Sequence, residues 1–206
     1  MITVEEIAAI SKGDVQDAAK KLNSDDIHML VDMLSLKDDN IRYWAFLLLQ
    51  NRSMLNSDVY PFWDTFQGKL KSDNSYQRSI GLMLIAENVR WDTQHKTEAI
   101  IYDYLSLLND EKPITVRQCI QSLGKVAQSK PALNAKIADR LISFDLMAVK
   151  ETMRKSILLD IINVLLKIRK SYNSDEVESF ISDALSGEIL DKKSKKLIEK
   201  ELLGGM

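Results

Sequence analysis

Four arginines, Arg42, Arg78, Arg117 and Arg154, recur along the chain at steps of 36, 39 and 37 residues. A guanidinium stays charged at any physiological pH, and its planar fork serves a carboxylate and carbonyl oxygens together. On an open surface such a row would hold an anionic ligand. Between packed helices it would tie neighbours through carboxylates, and Asp38, Asp73 and Asp110 stand a few residues before the first three arginines. The remaining reactive side chains are sparse. His28 and His95 lack the close spacing, or the nearby cysteine pair, that a zinc site requires. Cys119 lies in a helix-periodic apolar stretch and reads as a buried thiol rather than a nucleophile. The glycines are scattered and form no phosphate-cradling loop, so no metal and no cofactor is implied.

The elements that position these arginines are helices. Each arginine stands early in an apolar stretch of helical period, and the first three follow a leucine and a polar, acidic turn: LKDDNIR at 36–42, LKSDNSYQR at 70–78 and LNDEKPITVR at 108–117. Self-similarity at this period marks a stacked repeat protein, in which each unit buries its apolar face against the next. Pro61, Pro113 and Pro131 each follow a polar turn and announce helices, because proline is tolerated in a first helical turn. Thr3 with Glu6, Asp14, Ser24, Ser57, Asp92 and Ser174 are candidate N-terminal caps. No stretch alternates apolar and polar residues as a strand does. The chain is expected to be all-α, with a short opening pair at about 3–11 and 14–22. Further pairs are expected at about 24–36 with 38–53, 57–70 with 74–90, 93–109 with 112–129, 131–144 with 147–170, and 174–186 with 190–203. We read one domain over 1–206, with an N-terminal cap at 1–23, four central repeats at 24–170 and capping helices at 171–206.

Composition narrows the classes. Hydrophobic residues at 45% and charged residues at 28% are enough to build a core, unlike a disordered chain. A formal net charge of −2 argues against nucleic acid and acidic membrane surfaces as partners. The longest apolar run, at 157–168, is broken by Asp160, Asn163 and Lys167 and reads as a buried helix. An acidic amino terminus without a long apolar core, together with a single cysteine, points to the cytoplasm. The lysines of 191–203 fall mostly opposite Leu190, Leu197, Ile198 and Leu202 and read as the solvated face of a capping helix.

In LLNDEKPITVRQCIQSLGKVAQ at 107–128 the pattern sharpens: Leu107 and Leu108 end a helix, Asp110 lies in the turn, and Val116 and Arg117 open the next helix. This segment resembles a HEAT repeat, and weaker matches extend the resemblance over about 24–170. The resemblance implies a right-handed α-α superhelix of the HEAT or armadillo type, with about five helix pairs plus the short N-terminal pair. It also implies that Arg42, Arg78, Arg117 and Arg154, with Asp38, Asp73 and Asp110, form a structural ladder between repeats. Gly124 would then mark a close helix approach.

In such arrays the second helix of each pair lines the concave surface. There the resemblance places Tyr43, Ser79, Gln118 and Lys155 beside the arginines, with Gln121 and Lys125 one and two turns on. Their mixed, weakly charged chemistry suits a protein or peptide, which makes a non-enzymatic scaffold or adaptor the leading expectation. Most aromatic residues read as core, with Tyr43, Phe46 and Trp91 as alternatives for the border of a groove. Two other functions occur in HEAT-like proteins. Glycosylases for alkylated DNA bases need a basic channel, which the charge balance opposes, and a catalytic acid, for which Asp160 is the candidate. Bilin lyases share the repeat, without a specific sign of pigment here.

Overall fold

The computed structural model describes residues 2–204. Among them are twelve α-helices and no strand. The chain forms two compact units, one up to Tyr104 and one from Leu105.

In the first unit, α1 (Val4–Ala9) and α2 (Val15–Lys21) precede α3 (Ser24–Met33) with α4 (Asp39–Leu55), and α5 (Trp63–Lys69) with α6 (Ser75–Asn88). Helix α7 (Lys96–Ser106) starts in this unit. The apolar stripe of α4 meets α2, α3 and α6, and α5 lies along α6. Trp63, Phe66, Leu48, Leu49 and Leu84 are sealed from solvent in this core. The backbone of α6 comes so close to α5 that a Cβ on Gly81 would stand 2.6 Å from the Phe66 carbonyl oxygen.

The second unit contains α8 (Pro113–Ser129), α9 (Asn134–Ile142), α10 (Glu151–Ile168), α11 (Asp175–Ser186) and α12 (Lys192–Gly204). Helix α8 packs along α10, and α10 also touches α9, α11 and α12. Gly124 lies where α8 meets α10, facing Val164 and the Lys167 stem, which is the close approach the sequence anticipated. Leu190 and Ile198 are buried under α12, whereas Leu197 faces solvent, contrary to the expected pattern.

Helix boundaries follow local chemistry. Thr3 and Glu6 close a capping box on α1, and Pro113 occupies the first turn of α8. Asn23, not Ser24, caps α3, because its side chain accepts from Asp26 N–H while Asp26 reaches back. Pro61 and Pro131 sit in 3-10 turns, Ser57–Phe62 and Pro131–Leu133, that precede α5 and α9. Asp92 anchors the start of α7 through bonds from Lys96 N (3.0 Å), Thr97 N (2.8 Å) and Thr97 Oγ1 (2.6 Å), and it also accepts from Tyr60 Oη (2.9 Å).

Burial works to raise the Asp92 pKa, but the bonds from Thr97, Lys96 and Tyr60 outweigh it and hold the carboxyl well below the usual range. Burial, followed by the Asp92 contact, pushes the Tyr60 phenol up to about 12. Because the folded pKa of Asp92 lies below the unfolded value of about 3.9, its stabilisation is complete above that value and drains away as pH falls further. In acid titrations followed by circular dichroism, Asp92→Asn is expected to be less stable at neutral pH. It should also lose less stability than the native chain between about pH 5 and pH 2; equal acid slopes would refute this role. Gly81→Ala should cost about 1–3 kcal/mol through overpacking. Gly68→Ala, whose Cβ would meet open space, should be neutral or gain about 0.5 kcal/mol, as read by denaturant midpoints.

Candidate functional site

Of the periodic arginines, Arg42 and Arg78 are buried and Arg117 and Arg154 are half-buried. Arg42 donates from Nη1 to the Leu36 carbonyl (2.9 Å) and from Nη2 to Asp39, and its guanidinium lies 5.7 Å from the Tyr76 ring centre. Asp38 is occupied elsewhere, accepting from Asn40 N (2.9 Å) and Ile41 N (3.0 Å) as the cap of α4. Arg78 Nη1 donates to the carbonyls of Ser72 (2.7 Å) and Asp73 (3.0 Å), so Asp73 contributes its backbone. Arg154 serves the carbonyls of Val149 (3.1 Å) and Met147 (3.0 Å). These three arginines fasten the turn before their own helix, whose carbonyls have no helical partner.

Arg117 carries an ion pair to the next helix pair. Its Nε donates to Asp160 of α10 (2.6 Å), while Asp110 accepts from Lys112 N (2.8 Å) in its own turn. The carboxylate of Asp160 is buried, and Gln121 Nε2 supplies its other oxygen (3.0 Å). The hydrogen bond that Arg117 donates to Asp160 raises the pKa of Arg117 further, against the opposing effect of burial.

Other ties between successive helix pairs lie at the opposite ends of the second helices. Arg52 Nη1 caps the carbonyls of Ala19 (3.1 Å) and Lys20 (2.9 Å) at the end of α2 while the same guanidinium pairs with Asp58. Arg90 reaches the Met54 carbonyl (3.1 Å) at the end of α4. Trp91 Nε1 donates to Ser53 O (2.7 Å), and Asn88 Nδ2 to Ser53 Oγ (3.0 Å). Sequence reading overlooked Arg52 and Arg90, although each stands near the end of a second helix, where carbonyls without partners and the helix dipole favour a cation.

The anticipated binding row is only partly on the surface. Tyr43 is exposed, with its ring edge-on to Trp44 and under Lys12, and Gln121 is exposed on α8. Gln118, Lys125 and Lys155 are half-buried, and Lys155 pairs with Asp191 ahead of α12. Ser79, expected on the surface, is instead buried beside Arg78 in α6. Phe46 is buried as well, so it cannot border a groove. Burial pushes the Cys119 thiol far above its ordinary pKa, which suits packing and not nucleophilic attack.

The first unit also holds an open cleft of about 610 Å³. Its walls come from the turn after α3, the starts of α4 and α6, and the last turn of α5, including Lys37, Asp39, Arg42, Lys69, Tyr76 and Gln77. Lys69 is buried, and its ammonium donates to Ser35 Oγ (3.2 Å) and Gln77 Oε1. Burial lowers its pKa, and the nearby Arg42 charge adds to that.

No family model matches the chain, and no curated protein does. Among solved structures, the crystal structure of an engineered protein, a target of the Northeast Structural Genomics Consortium, covers 100% of this chain and 96% of its own, with a TM-score of 0.56 at 15% identity. At that identity the likeness is one of fold.

The Arg117 and Asp160 pair can be tested directly. Arg117→Ala leaves a buried carboxylate with Gln121 as its remaining partner, and should cost about 2–4 kcal/mol, discounted for the partial exposure of the guanidinium. The double variant Arg117→Ala with Asp160→Leu should recover part of that loss in thermal melts; no recovery would assign the loss to packing of the arginine stem.

Proposed function

We propose that the helix pairs are HEAT-like repeats and that the chain is a non-enzymatic cytoplasmic scaffold whose second helices hold a protein or peptide partner. The observation that carries this reading is the division of labour on those helices. Their apolar stripes are consumed by packing, while Tyr43 and Tyr76 stand exposed on α4 and α6 of one unit and Gln121 stands exposed on α8 of the other. A tyrosine offers large contact area for little ordering entropy, and aromatic anchors commonly dominate binding energy. A surface displayed on rigid helices also loses little freedom on binding. Asp160, the acid a base-excising enzyme would need, has both oxygens engaged by Arg117 and Gln121, which weighs against that alternative.

A partner captured from native lysate supplies the test. Tyr43→Ala is expected to weaken its affinity by about tenfold, a change near 1.4 kcal/mol, with an unchanged melting midpoint because the ring is exposed. Unchanged affinity in Tyr43→Ala and in a combined Gln121→Ala, Lys155→Ala variant would remove this surface from consideration.

A further inference from the structure

The cleft of the first unit contains a charge imbalance that its packing role leaves unexplained. Lys69 is only 9% exposed, yet its hydrogen bonds run to a hydroxyl and an amide oxygen, both neutral. A lysine buried to this degree is ordinarily paired with a carboxylate. Gln77 cannot swing away to make room for one, because its Nε2 is committed to the Leu34 carbonyl (2.7 Å). Arg42 lines the same cleft and is equally buried, and Lys37 stands at its edge. Against these three cations the lining offers one carboxylate, Asp39, whose side chain is 85% exposed and already bound to Arg42. Helix α6 opens onto the cleft with no acidic residue in its first turn, so its N-terminal partial charge adds to the excess.

We propose that this cleft binds a phosphate group, with Lys69 and Arg42 as its principal cationic contacts and Lys37 closing on it from the edge. An ammonium has three donors, and Lys69 directs two of them to Ser35 and Gln77, which leaves a third for an oxyanion. The hydroxyls of Ser35, Thr65 and Ser72 also line the cleft and can donate to an acceptor-rich tetrahedral group. The excess of two positive charges in the lining matches a phosphate dianion better than a single carboxylate. Free phosphate and a phosphorylated side chain of a partner share this chemistry, and the site does not depend on whether the second helices bind a protein.

The test is titration of the isotope-labelled full chain with inorganic phosphate at constant ionic strength, followed by amide chemical shifts. Saturable shifts are expected at residues 72–77 and in the Gln77 side-chain amide. Lys69→Met, which keeps the buried stem and removes the charge, should weaken apparent affinity by about tenfold or more. Lys71→Met serves as the control, since Lys71 pairs with Asp103 and is not among the lining residues, and it should bind like the native chain. If Lys69→Met does not fold, Lys37→Met at the exposed edge should still weaken binding severalfold. A phosphoserine peptide that binds more tightly than inorganic phosphate would assign the site to a modified partner, and equal binding would assign it to the free group. No saturation at tens of millimolar phosphate, the same response in Lys69→Met, or equal shifts with acetate would overturn the proposal.

Discussion

The ends of helices dominate the physics of this chain. Packing short helices in pairs leaves carbonyls without intrahelical partners wherever a helix stops against its neighbour, and burial makes an unsatisfied carbonyl expensive. Guanidinium groups supply much of the remedy. Arg42, Arg78 and Arg154 fasten the turn that leads into their own helices, whereas Arg52 and Arg90 reach back to carbonyls at the ends of α2 and α4. One side-chain chemistry thus sets turn geometry at one end of a second helix and register between helix pairs at the other.

This arrangement explains why arginines stand at both ends of the second helices of the first unit. The N-terminal set is local, satisfying carbonyls within seven residues in sequence, as the step from Met147 to Arg154 shows. The C-terminal set acts at a distance, joining residues more than thirty apart, such as Arg90 with Met54. The second unit uses the forward pair of Arg117 with Asp160 for the same purpose. A local clasp forms as soon as its turn folds, but a long-range clasp requires that the next pair has already docked. The cleft beside Lys69 lies among the local clasps, and Asp39 is the one carboxylate among its lining residues.

Functional surface and structural core draw on adjacent positions of the same helices. Arg42 is buried while Tyr43, its neighbour, is exposed, because one residue advances the helix by about 100°. Ser79, which the resemblance placed on the same surface, lies differently. It follows Arg78 as Tyr43 follows Arg42, yet it is buried in α6.

The sequence by itself determined the helical class and the approximate limits of the helices, because these depend on short-range rules of period, capping and proline placement. Pro113 and the Thr3 capping box were legible for that reason. Tertiary structure alone decided which oxygen each arginine meets. Asp38 and Asp39 are adjacent in sequence, but only the first has the geometry to cap α4, and that leaves the second to pair with Arg42. It also decided the burial of Lys69. Nothing local foretells that Ser35 and Gln77, 34 residues before it and eight after it, will close over its ammonium without bringing a carboxylate. Burial and pairing are properties of packing between elements distant in the chain, and no local period encodes them.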